Sequence, residues 1–396
     1  MSPASGGAAL ESMPLPAEAP ADLAAGTMAP TPVATPDTMF FENYGVNPFI
    51  DTEDDRLSTF AMDVDTGSYT VARRYVQDGI LPPKDAIRVE EFVNYFDYNY
   101  PLPDEGQTFA IHLEGSPSPF GQTDRYEIVR IGIQGYAIPP EARQDVALTF
   151  VIDVSGSMDR EDRLTLVKRA LTLLVEELRP TDSVAIVVYG SDARAVLPPT
   201  RGDEKDRILS AIYALNPEGS TNAEAGLLLG YAQAEIAYDA ERINRVILLS
   251  DGVANVGQTG PEAILRTIEE YAMRGVYLTT VGFGLGNYND VLMEQLANQG
   301  DGIYAYVDNI REARRIFVED LSGTLQAIAK DAKVQVDFNP EVVARYRLLG
   351  FENRAIADDE FRDDTVDAGE IGAGHSVTAL YEIKRHPDAE GPIATV

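Results

Sequence analysis

Four stretches constrain this chain more than anything else in it. Residues 146–154, 184–189, 246–250 and 276–281 are nearly continuous apolar runs. A strand that is apolar on both faces suits a sheet covered by helices on both sides, because each face must leave water. Helical patterns lie between these runs. Leu164, Val167, Leu171, Leu174, Val175 and Leu178 recur at three- and four-residue spacing and form one stripe. Similar patterns fall near 205–215, 223–236, 261–274, 289–298 and 310–321, and Pro261 suits a first helical position. The alternation predicts an α/β domain over 145–323, with a doubly wound, mostly parallel sheet.

The flanks read differently. Residues 1–38 hold 10 Ala and 7 Pro with no basic residue. Such a segment buries too little surface to fold, and the expectation is a disordered tether. Over 39–144 the sequence predicts a strand at 58–65 ending in acids, helices near 68–77 and 87–96, and strands at 108–114 and 126–134. The last two alternate apolar and polar residues, as half-buried antiparallel strands do. Alternation returns over 324–396, at 333–338, 344–351 and 375–383. These strands are expected to pair with those at 108–134, so that the α/β domain is inserted in a β-sandwich-like flanking domain.

The chemistry is narrowed by what is missing. The 396 residues include no Cys, which excludes disulfides, thiol nucleophiles and Cys-based zinc sites. His112, His375 and His386 are far apart and show no metal-ligand spacing. Asp and Glu number 64 against 32 Lys and Arg, a formal charge of -32 that suits solubility or high salt and argues against a nucleic-acid partner. No run of 18 apolar residues is present, so no transmembrane segment is expected.

The first buried run ends in Asp153 and enters Val154-Ser155-Gly156-Ser157. Asp, Ser and Ser at alternate positions of a tight loop point their oxygens into one small space, and Gly156 permits the turn. The loop stands at the carboxyl end of a parallel strand, where open α/β sheets bind ligands. Asp251 ends a second buried run, and Thr221 precedes a helix. If the two strands are neighbours, Asp153, Ser155, Ser157, Thr221 and Asp251 converge. Five hard oxygens with two carboxylates favour Mg²⁺, with Mn²⁺ or Ca²⁺ also possible.

This set resembles the metal-ion-dependent adhesion site of von Willebrand factor A domains. The intervals agree with that family: 64 residues from Ser157 to Thr221 and 30 more to Asp251. The resemblance implies direct binding by Ser155, Ser157 and Thr221, with the Asp residues bound directly or through water. It also implies an open position that a partner protein fills with an Asp or Glu carboxylate. The stretches 40–49, 63–69, 88–96 and 374–383 are similar to bacterial von Willebrand factor A proteins of the YfbK type. That resemblance implies export to the cell envelope, often as a lipoprotein, with the leader absent from this chain. Oligomeric state is open.

Weaker motifs are read structurally. Asp63-x-Asp65-x-x-Ser68 follows Phe60-Ala61-Met62 and echoes the metal loop. No later Thr and Asp complete it, so Asp65 or Thr66 is expected to cap a helix. Gly282-Phe283-Gly284-Leu285-Gly286-Asn287 lacks the third Gly of a dinucleotide loop and reads as a turn near the metal face. No catalytic constellation is found, so the expectation is a metal-dependent protein-binding module and not an enzyme. The alternatives are a metal-stabilised structural protein that binds through its β domain, and a metal-dependent hydrolase.

Overall fold

The computed structural model describes residues 39–252, 261–286, 288–319, 326–363, 366 and 368–396. The expected tether over 1–38 lies outside them, as do Asn287 and the end of the expected helix at 320–321.

The N-terminal flank contains β1 (Ile50–Asp51), β2 (Leu57–Ala61), α1 (Gly67–Gln77), α2 (Val89–Asn94), β3 (Phe109–Pro117) and β4 (Tyr126–Gly135). The central part follows as β5 (Val146–Asp153), α3 (Leu164–Glu177), β6 (Ser183–Tyr189), β7 (Ala193–Arg201), α4 (Lys205–Tyr213), α5 (Ala223–Ala237) and β8 (Ile243–Ser250). It continues with α6 (Pro261–Ala272), β9 (Val276–Phe283), α7 (Asp290–Gln299), β10 (Tyr304–Val307) and α8 (Ile310–Arg314). The C-terminal part holds β11 (Ala327–Phe338), β12 (Val343–Leu349), β13 (Gly369–Gly372), β14 (Ser376–Arg385) and β15 (Ala394–Thr395).

The central sheet has the order β10-β9-β8-β5-β6-β7. All neighbours are parallel except β6 and β7. The four apolar runs are its buried strands, and their double-sided character has a direct cause. Leu148, Phe150 and Ile152 of β5 join one core with Val167, Leu171 and Leu174 of α3. Val151 of the same strand joins another core with Leu227 and Tyr231 of α5 and Ile268 of α6. Val71 and Tyr75 of α1 enter that second core, so the flank supplies one of the covering helices.

The edge strands β7 and β10 were not foreseen. Exposed positions interrupt the apolar pattern in β7, and β10 is too short to show a period. The helix expected over 310–321 is shorter: α8 ends at Arg314 and one wider turn runs to Glu319.

The flanking strands form two further sheets. One has the order β1-β12-β14-β4-β3. In it β14 pairs antiparallel with β4 from Ser376–Gln134 to Lys384–Tyr126. In the other, β11 pairs with β2, β13 and β15, so the strand at 333–338 joins Leu57–Ala61 and not 108–134; the strand at 344–351, seen as β12, likewise pairs with β14 and β1 and not directly with 108–134. Phe60, Ile131, Val336, Phe338, Tyr346 and Tyr381 share the core between these sheets. The architecture is the expected one, an α/β unit set within a flanking antiparallel sandwich.

Candidate metal centre

β5 lies between β8 and β6, so chain crossovers leave it in opposite directions. That reversal opens a crevice at the carboxyl ends of the strands. Asp153 closes β5 there, and Asp251 follows the end of the adjacent β8.

Asp153 is 1% exposed and Asp251 6%. Asp153 Oδ1 accepts the amide of Ser155 at 2.8 Å, and its Oδ2 accepts the Ser250 hydroxyl at 3.0 Å. The Ser155 and Ser157 hydroxyls lie 3.0 Å apart. Ser155 is buried while Ser157 is exposed, so the pair runs from the protein interior to solvent. The Gly156 amide donates to Gly219 O at 3.2 Å, which ties the metal loop to the segment that carries Thr221. Gly219 has φ +72, and a Cβ there would collide with Ser191 Oγ, so this turn requires glycine. Thr221 is half-buried just before α5, whose N-cap Asn222 accepts the Ala225 amide at 3.2 Å.

Burial raises the Asp153 carboxyl above its ordinary pKa, and the Asp251 charge adds to the shift; the hydrogen bonds from Ser155 and Ser250 oppose it. Burial, followed by the Asp153 charge, pushes the pKa of the buried Tyr189 hydroxyl far up. Asp153 and Asp251, with the Ser155, Ser157 and Ser250 hydroxyls, make a hard, oxygen-lined crevice. This donor set fits a divalent cation such as Mg²⁺.

Arg163 is the residue that sequence reasoning missed. Its guanidinium contacts Asp251 Oδ2 and donates to Ser157 O at 2.9 Å and Leu285 O at 2.6 Å. It therefore joins the metal loop, the acid after β8 and the turn after β9. Gly284, with φ +74, makes room for it: a Cβ would stand 2.5 Å from Arg163 Nε. Arg163 precedes α3 and follows Asp159, Glu161 and Asp162. None of the three lies in its first turn. Asp162 pairs with Arg74 of α1 at 3.1 Å instead.

Residues 147–321 match the family model described as the von Willebrand factor type A domain. Residues 35–129 match one described as von Willebrand factor, and 323–392 match the C-terminal region of the uncharacterized protein YfbK. YfbK of Escherichia coli (strain K12) is 39% identical over 373 residues, which is 92% of this chain and 64% of that protein. The chain is a von Willebrand factor type A domain protein of the YfbK type. Domains of this type are commonly metal-dependent protein-interaction modules. Human inter-alpha-trypsin inhibitor heavy chain H3 is 28% identical over 254 residues, covering 62% of this chain and 25% of that one. The chain thus spans less than two thirds of the length of either relative. Among solved structures, a von Willebrand factor type A protein from Catenulispora acidiphila has a TM-score of 0.46 at 17% identity, covering 75% of this chain and 68% of that one.

Proposed function

We propose that this protein is a metal-dependent binding module of the bacterial cell envelope. Asp153, Ser155, Ser157, Thr221 and Asp251 hold a divalent cation, Mg²⁺ by preference, and the cation receives an Asp or Glu carboxylate of a protein partner. The observation that carries this reading is the convergence at the topological switch point. Asp153 and Asp251 end adjacent parallel strands, and the paired Ser155 and Ser157 hydroxyls lead from them to solvent. A chain with a formal charge of -32 repels acidic partners at long range. A bound cation reverses that sign locally and supplies the attraction. The family resemblance along both flanks supports the envelope placement. Among the described residues no helix is long and apolar enough to cross a membrane.

The test is capture of envelope proteins on the immobilised chain in Mg²⁺, followed by elution with EDTA. Partners released by EDTA and absent from an Asp153→Ala column support the reading. Equal capture by wild type and Asp153→Ala, with or without EDTA, overturns it. Fractionation of the native host tests the placement: recovery in the cytoplasm alone contradicts it.

A further inference from the structure

The turn after β2 was expected to cap α1, and it does not. Thr66 occupies the N-cap position of α1 without a side-chain cap bond; its hydroxyl accepts Arg315 Nη2 at 2.9 Å. Asp65 Oδ1 accepts the Tyr304 amide at 3.0 Å. What the turn meets instead is a third carboxylate. Glu294 of α7 brings an oxygen to Asp63 and Asp65, and one ligand atom from each of the three lies within 4.8 Å of the others.

The surroundings hold too much negative charge. Asp63, Asp65, Glu90, Glu91, Asp290 and Glu294 are all buried. Among the described residues, the cations that pair with this group are Arg88 and Arg354. Six carboxylates face two guanidiniums. A neighbouring network shows what balance looks like: Arg73 and Arg315 are matched by Asp308 and Glu312.

The hydrogen bonding is also incomplete. Glu294 is 4% exposed. Its Oε1 accepts Asn353 Nδ2 at 3.0 Å and Arg354 Nη2 at 3.1 Å. Its Oε2 is buried with no hydrogen-bond partner, and Arg88 Nη1 stays 3.6 Å away. A buried carboxylate oxygen that accepts no hydrogen bond, with a guanidinium only at 3.6 Å, is under-satisfied and can take a further ligand. A cavity of about 150 Å³ opens beside two of the three carboxylates, lined by Asp63, Asp65, Asn298, Gly302, Asn353 and Arg354. It is polar and large enough for an ion with several waters.

We propose that Asp63, Asp65 and Glu294 form a second divalent-cation site, distinct from the metal loop and suited to Ca²⁺. Three carboxylates with room for water match the flexible, oxygen-rich shell of Ca²⁺ better than the strict octahedron of Mg²⁺. Arg354 now touches all three, at 3.0 Å to Asp63 Oδ2, 3.5 Å to Asp65 Oδ2 and 3.1 Å to Glu294 Oε1. It is the resident cation with which Ca²⁺ competes. The ion clamps the turn after β2 to α7, and so fixes the flanking sandwich to the α/β unit. The same burial and crowding hold Asp65 and Glu294 above the usual carboxylate range and push Glu90 up to about 7, which is the response of an acid cluster short of positive charge.

The experiment is equilibrium dialysis of the Asp153→Ala protein against Ca²⁺ alone. That background removes the metal loop, so the result does not depend on the proposed adhesion site. One Ca²⁺ per chain is expected. Asp65→Asn or Glu294→Gln, added singly and checked by circular dichroism, weakens it at least about tenfold, and Arg354→Gln strengthens it because the competitor is gone. A merely structural salt bridge predicts no gain from Arg354→Gln. No Ca²⁺ bound by Asp153→Ala at millimolar concentration overturns the inference, as does affinity unchanged by both carboxamide variants. If the adhesion site fails but this one stands, wild type and Asp153→Ala bind the same single Ca²⁺.

Discussion

Two acid-tipped turns in this protein share one local device and differ in everything around it. After β5, Asp153 Oδ1 accepts the amide two residues on, at 2.8 Å; after β2, Asp63 Oδ1 does the same at 2.9 Å. At the first turn the remaining neighbours are hydroxyls and the Asp251–Arg163 pair, and Ser157 opens the group to solvent. At the second they are buried carboxylates and two guanidiniums. The turn fixes one carboxylate oxygen, and the other takes partners from distant parts of the chain: Ser250 at Asp153 and Arg354 at Asp63. Those distant residues decide whether the turn serves an exposed partner site or an internal clamp.

The sharpest way to separate the two regions is to remove a cation from each. Arg88 is buried against Glu91, Asp290 and Glu294. Arg88→Ala leaves Glu91 and Asp290 without their guanidinium partner and is expected to cost about 3–5 kcal/mol in urea unfolding. Arg163→Ala strands only Asp251, and Mg²⁺ is expected to restore most of the loss. Equal, Mg²⁺-independent losses at both positions would break the comparison.

Metal removal gives the next largest effect. A ligand at a hundredfold excess over its Kd stabilises the folded state by about 2.7 kcal/mol. Wild type is expected to gain on that order from Mg²⁺ in a thermal melt, and Asp153→Ala to lose the metal loop's share. A smaller loss tests the support of the metal loop. Gly284→Ala forces a Cβ into a left-handed turn and against Arg163, with an expected cost of about 1–2 kcal/mol and weaker Mg²⁺ binding. Unchanged Mg²⁺ affinity in that variant would detach Arg163 from the site.

The smallest effect is a slope. Burial first, then the Asp63 charge, raises Glu90 to about 7. An acid raised in the folded state favours folding at low pH, where it is protonated in both states, and that contribution is lost as pH climbs through 7. Stability therefore falls between about pH 4.5 and 7, by at most about 1.4 kcal/mol per pH unit from this one group. Glu90→Gln is expected to flatten that slope, as is Ca²⁺ bound beside it. A slope identical in wild type and Glu90→Gln contradicts the assignment.

The sequence was legible where period and spacing carry the physics. Double-sided strands such as 146–154 must be covered on both faces, and that requirement alone reveals the central sheet. Asp153, Ser155 and Ser157 are close in the chain, and Thr221 and Asp251 begin or end recognisable elements. The destination of 333–338 was not legible, because an alternating strand shows which face is buried but not which neighbour it meets. Arg163 was hidden for a related reason: it reaches Asp251 and Leu285 across the fold, and no spacing marks it. Glu294 lies on a helix far from Asp63, so the echo of the metal loop looked incomplete until α7 was placed beside it.

The central claim is that the five residues around Asp153 bind one divalent cation. Isothermal titration of Mg²⁺ into wild type, Asp153→Ala and Thr221→Ala tests it most directly. The account predicts that each variant binds one fewer Mg²⁺ than wild type, with unchanged circular dichroism. Identical Mg²⁺ stoichiometry and affinity in all three proteins would contradict it.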